Sequence, residues 1–190
     1  MTQPTTVFFI GKPGCGKGTQ ARLLAEKTGW TILASGDQFR AIAKEDNIVG
    51  SKVKEEIDNG LLAPHWFAMY LYLRALFSLK SDESVVFDGF NRKQAEAELV
   101  TDSLDWVGRP YTVLEINISD EEVHRRLEGR KGVEGRADDH AVTKRLEEYD
   151  AYTTKALTLF RDRGNLTVIN GEQTPEQVAK DIATALNLPA

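Results

Sequence analysis

Gly11-Lys12-Pro13-Gly14-Cys15-Gly16-Lys17-Gly18-Thr19 is the stretch on which the fold turns. It stands between a short apolar run, Thr5 to Ile10, and a helical pattern carried on by Ala21, Leu23, Leu24 and Ala25. A strand, a glycine loop and a helix in that order make an anion cradle. Glycines at 11, 14, 16 and 18 let the backbone curl so that successive N–H groups point inward, the following helix adds its positive end, and Lys17 adds a mobile cation. The general form of such a loop carries Ser or Thr directly after the lysine to hold magnesium; here Gly18 takes that place and Thr19 follows, so direct ligation by a loop hydroxyl is not expected. Cys15 sits at a freely variable position of the motif, where a helix N-terminus lowers a thiol pKa, but a redox role is the lesser reading.

Working outward, four further apolar runs each precede or follow an amphipathic stretch: Thr31 to Ala34, Ser84 to Phe87, Tyr111 to Asn117 and Leu166 to Ile169. This alternation predicts an α/β fold with a parallel sheet. The run Val85-Val86-Phe87 ends at Asp88, as the first run ends in glycines, so two strand ends point polar chemistry at one site.

Between Ser35 and Pro64 the chain turns polar and helical, which predicts a small helical insertion. His65 to Leu79 is apolar almost all round, with Arg74 inside, and reads as a buried core helix too short to span a bilayer. From Asp139 on, Val142, Leu146, Tyr149, Thr153, Ala156 and Phe160 recur at helical spacing and predict one core-facing stripe. A last helix is expected from Pro175, and the glycine-rich stretch from Arg130 to Arg136 reads as a short mobile loop.

The 190 residues suit one α/β domain with insertions. With 24 Lys and Arg against 29 Asp and Glu, the net charge of −5 offers no global positive field for nucleic acid or acidic membrane. A single cysteine and three scattered histidines give neither a disulfide framework nor a zinc cluster. No basic leader or run of roughly 18 apolar residues is seen, so a cytoplasmic protein with a small soluble partner is expected.

GKPGCGKGTQ, with its lysine-glycine-threonine order, resembles the signature of adenylate kinases and their uridylate/cytidylate kinase relatives. SGDQFR (35–40) resembles the family's monophosphate-site helix, NGLLAP (59–64) the end of its substrate flap, and DGFNR (88–92) its strand-end motif. RRLEGR (125–130) and GRADD (135–139) resemble the lid arginines, and RLEEY (145–149) the helix after them. The resemblance implies a three-layer phosphate-loop kinase fold with a five-stranded parallel sheet, a helical monophosphate-binding insert (35–64), a short lid (130–140), and a core made of 1–34, 65–129 and 141–190. It further implies phosphoryl transfer from ATP to AMP in a monomer, with magnesium entering alongside ATP. The alternatives are a UMP/CMP kinase or a nucleotide-binding regulatory module with weakened catalysis.

Carried over by matching position, Gly14, Cys15, Gly16, Lys17, Gly18 and Thr19 would hold the donor phosphates, with Gly171 also on the ATP side and Arg126 against the donor adenine. Ser35, Arg40, Leu62, Gly89, Arg92 and Gln94 would form the AMP site. Arg130, Arg136 and Arg145 would close on the phosphates and, with Lys17 and Arg92, do the catalysis; Asp88 would orient magnesium-bound water. Arg74 and Arg125 are expected to be surface charges, while Asp138 and Asp139 either fix the lid arginines or cap the next helix.

Three departures bear on this. Asn91 replaces the usual proline of DGFPR, which follows a cis bond, so a trans backbone there would re-aim Arg92. The family glutamine that reads the adenine lies four residues beyond that arginine, whereas Gln94 lies two beyond; a two-residue deletion would restore it. The distance from Arg136 to Arg145 is also two residues short, which the lid turn can absorb.

Overall fold

Five parallel strands form the sheet, in the order β2-β3-β1-β4-β5. They are β1 (Thr6–Ile10), β2 (Thr31–Ala34), β3 (Val85–Asp88), β4 (Tyr111–Asn117) and β5 (Leu166–Asn170). This computed structural model describes residues 5–130 and 142–189, with Arg130 described by its backbone alone. Each strand lies within a residue of its expected bounds.

Central β1 carries no polar alternation because helices cover both faces. Phe8 and Ile10 point into one core with Tyr72, Phe87, Phe90 and Phe160, while Val7 and Phe9 point into the other with Ala21, Leu24, Ile116 and Ile182. Such full burial is worth roughly 1.5–3 kcal/mol for each large apolar side chain. On the first face lie α4 (His65–Ser78), α5 (Gln94–Trp106) and α8 (Thr154–Asp162). The second carries α1 (Lys17–Thr28), α6 (Asp120–Arg130) and α9 (Pro175–Ala185), the last capped by Thr174 with proline at its first position. The three layers are those expected. Among the described residues no helix is long and apolar enough to cross a membrane.

The stretch after Ala34 folds as α2 (Ser35–Ile42) and α3 (Ile48–Asp58), whose N-cap Asn47 accepts from Gly50 N at 2.8 Å. After the segment outside the described residues comes α7 (Val142–Glu148), then a π-helical turn, Tyr149–Thr153, that runs straight into α8. The expected stripe survives that turn, with Leu146, Tyr149, Thr153, Ala156 and Phe160 all buried. The π turn takes up about one extra residue, and Thr153 lies on the inner face with Tyr149.

Two expectations are corrected. α4 is not buried all round: Ala68, Met69, Leu71, Tyr72, Ala75 and Leu76 face the core, but Trp66, Tyr70 and Phe77 are exposed, Arg74 lying 5.7 Å over the Tyr70 ring. A uniformly apolar helix has no periodicity to say which face meets the sheet. Nor is Cys15 a free loop position; it is 2% exposed and packs in the second core.

Candidate active site

β1 and β3 are neighbours with Phe9 paired to Asp88, so the glycine loop and the 88–92 segment emerge side by side at the carboxyl edge of the sheet. They open into a cavity of about 810 Å³ roofed by α2, α3 and the 60–63 segment on one side and by α6 and α7 on the other. That is near the upper end of the range for small-molecule sites.

The loop is shaped by close packing. Gly11 has φ 153°, and a Cβ there would lie 2.5 Å from Ile116 O; Gly16, the N-cap of α1, has φ 101°. No side chain caps α1 and its first turn holds no acid, which leaves its positive end facing the cavity. Lys17 Nζ folds over the loop, donating to Gly11 O at 2.7 Å and Lys12 O at 3.0 Å, with Cys15 Sγ at 3.4 Å. Gly14, Cys15, Gly16, Gly18 and Thr19 all line the cavity.

Arg126, also on the cavity wall, is held by three partners. It donates to Glu122 at 2.6 Å, to Cys15 O at 3.3 Å and to Gly171 O at 2.7 Å, so it braces the loop against the end of β5. Arg125 and Arg126 hold the Glu122 carboxyl far below its usual range, at about 2. Gly171 itself has no room for a side chain, since a Cβ there would meet Ile116 Cγ2 at 2.6 Å and Ile118 Cγ2 at 2.8 Å. Arg125 lines the cavity too, but its side chain is 71% exposed.

On the opposite wall Ser35, 3% exposed, donates to Gly89 O at 2.8 Å, and Arg92 Nε donates to the same carbonyl at 2.6 Å. Gly89 must be glycine: its φ is 78°, and a Cβ would meet Arg92 Nη2 at 2.5 Å and Ser35 Oγ at 2.9 Å. Arg40, paired with Asp37 at 2.5 Å, and Leu62, whose N–H reaches Glu148 at 3.3 Å, line the same cavity, as does Arg145. Asp88 lies against the loop, its Oδ2 3.5 Å from where a Gly18 Cβ would sit. All peptide bonds of the described residues are trans, and Asn91 takes φ 64°, a left-handed conformation that asparagine tolerates. Arg92 reaches the cavity despite the missing proline.

Not every expected residue is brought together. Gln94 is exposed, turned toward Glu98 at 2.8 Å and away from the cavity. Glu96 lines it instead, at the place four residues beyond Arg92. Two helical residues amount to roughly 200° of rotation, so the two side chains cannot share a face. Arg136, the Arg130 side chain, Asp138 and Asp139 lie outside the described residues. Arg22, which no motif marks, and Glu148 and Tyr149, expected only as part of a helix, also stand on the cavity wall. Tyr149 donates to Glu115 at 3.1 Å; burial, together with that carboxylate, raises its phenol pKa. The signal for Glu96 is its place four residues beyond Arg92, where the family carries glutamine.

A glycine loop at the hinge of a 2-3-1-4-5 parallel sheet, with a cavity richer in cationic than anionic side chains although the chain is net negative, defines a phosphate-loop α/β protein that binds nucleotides. The family model "Adenylate kinase" matches residues 9–165. The chain is similar to the adenylate kinases of Maricaulis maris (33% identical over 183 residues) and Phocaeicola vulgatus (34% over 183), each match covering 95% of this chain and 97% of the relative. It is 35% identical over 185 residues to that of Thermus thermophilus, covering 96% and 97%. The chain belongs to the adenylate kinase family.

Proposed function

We propose that this protein transfers the terminal phosphoryl group of ATP reversibly to AMP, giving two ADP. The observation that carries this reading is the common cavity: Lys17 and the glycine loop on one wall, Arg40 and Arg92 on the facing wall, and Arg145 on a third element. Two anions placed end to end need such a ring of cations.

The chemistry needs no general base. The acceptor is a phosphate oxygen whose second pKa, near 6, leaves it largely ionised at neutral pH. What has to be supplied is alignment and neutralisation in a dry site. In this reading the loop amides and Lys17 hold the donor phosphates, Lys17 leaving the carbonyls of Gly11 and Lys12 for phosphate oxygen. Arg40 and Arg92 clamp the monophosphate, with Ser35, Gly89 and Leu62 shaping its pocket; Arg145, joined by Arg130 and Arg136, spreads the charge of the group in transit. Arg126 offers a fixed guanidinium plane to the donor adenine beside Gly171.

Magnesium belongs to the substrate as magnesium-ATP. Asp88 beside the loop suits a contact through the ion's water shell, and among the described residues no group of three His, Cys, Asp or Glu is placed to hold a metal unaided.

We infer that 35–64 acts as a flap and 130–140 as a short lid over a core of 1–34, 65–129 and 141–190. Their closure keeps water, the competing acceptor, from the phosphoryl group. One chain supplies both halves of the cavity, in keeping with a monomer.

A coupled assay with magnesium-ATP and AMP, CMP or UMP tests the reading. Turnover with AMP above that with either pyrimidine nucleotide is expected. Turnover with CMP or UMP and none with AMP would overturn it.

A further inference from the structure

Glu96 is a buried carboxylate in the wall of a nucleotide cavity. It is 3% exposed, and it lines the cavity together with the apolar side chains of Phe39, Val53, Ile57 and Leu62 from the flap side and of Ala68 from α4. Apolar walls with one fixed polar group suit a planar base.

The carboxylate is held in place by its own helix. Oε2 accepts from Arg92 N at 2.7 Å and Lys93 N at 3.4 Å at the start of α5, and Lys93 Nζ in turn donates to Ala63 O at 2.9 Å, fastening that turn to the flap-side segment. Oε1 takes no hydrogen bond from the described residues, and its residue lines the cavity. Glu56 and Glu148 also reach the cavity but are less buried, and Glu148 is turned to Leu62 N.

An ionised carboxylate accepts hydrogen bonds and donates none. Adenine offers it one amine, N6, beside the acceptor N1. Guanine offers two adjacent donors, N1–H and the N2 amine, and uracil a single N–H between two carbonyls. We propose that Glu96, standing where the family carries its base-reading glutamine, admits guanosine monophosphate through its free oxygen as an acceptor alongside AMP. This deepens the kinase reading of the cavity and rests on it.

Glu96→Gln tests this. Glutamine has the same length and still accepts from the helix-start N–H groups, so the cap is kept. It adds a donor that pairs with adenine N1 and opposes guanine N1–H. The expected result is a rise of about tenfold or more in the AMP-to-GMP ratio of kcat/KM, carried by KM rather than kcat, with KM for ATP unmoved. A role in folding alone would leave that ratio where it was. In the unmodified protein, GMP is expected to compete with AMP with an inhibition constant within about tenfold of the AMP KM. An unmoved ratio in the folded variant, or failure of GMP to compete while AMP is turned over, would overturn the role of Glu96 and leave the kinase reading standing. Absence of turnover with AMP and GMP alike would end both.

Discussion

The loop over residues 11–18 and the segment over residues 88–96 leave adjacent strands at one edge of the sheet, but they hold their shapes by different means. The loop is made of main chain. Gly11, Gly14 and Gly16 sit at positive φ, Gly11 with no room for a Cβ, and the Lys17 side chain is held by loop carbonyls. The second segment is made of side chains: Arg92 lies on the carbonyl of Gly89, and Glu96 caps its own helix with one oxygen. Asn91 holds a left-handed turn with no hydrogen-bond partner for its buried amide among the described residues. A polyphosphate is common to every donor nucleotide and suits a rigid backbone cradle. The acceptor end has room to change residue by residue, and there this chain departs from its family's pattern.

The harshest break of the comparison is Lys17→Met. Removing the one side chain the loop relies on is expected to cost roughly two to three orders of magnitude in kcat. The Tm should be unchanged, since among the described residues Lys17 Nζ bonds only to loop atoms. Steady-state rates beside a thermal melt check this, and undiminished turnover would contradict the role.

Next comes Asn91→Pro, which restores the family's residue to a backbone shaped for another. Proline fixes φ near −65°, whereas Asn91 has φ 64°, so the change is expected to cost roughly 2–3 kcal/mol and about 5–10 °C in Tm. KM for AMP should rise as Arg92 is displaced. A gain in activity would show that Asn91 impairs the site rather than being accommodated by it.

Arg40→Ala sharpens the division between the walls. Loss of a charged hydrogen-bond donor is expected to raise KM for AMP by about 10- to 100-fold. KM for ATP should hardly move, and equal rises in both would put Arg40 outside the monophosphate half.

The smallest effect concerns pH. Burial, the largest influence on Glu96, raises its pKa above the usual 4.5 despite the helix-start N–H bonds and the charges of Arg92 and Lys93. The folded state therefore binds this proton more tightly than the unfolded one. The stabilisation is fully present below pH 4.5 and is lost as pH rises through the folded value. Glu96→Gln, which does not titrate, should gain stability relative to the wild type between pH 4 and pH 7 in denaturant titrations. A relative loss would reverse the assigned direction.

What could be read in advance follows the same division. The strand bounds and the glycine loop were legible because burial on both faces and backbone curvature leave a compositional trace, as in Val7 to Ile10 and Gly11 to Gly18. Gln94 misled because a helix turns about 100° per residue, so an amide two positions early faces solvent. The π turn at Tyr149–Thr153 was invisible because buried residues at spacings of three and four also describe an ordinary helix. The exposure of Trp66, Tyr70 and Phe77 was hidden by a helix whose apolar residues mark no single face.

The central claim is that one cavity holds two nucleotides end to end. The most direct measurement is a calorimetric titration with a single molecule carrying two adenosines joined through a polyphosphate chain. The account expects one molecule bound per chain, displacing ATP and AMP together. Two molecules bound per chain, or displacement of ATP with AMP binding untouched, would contradict it.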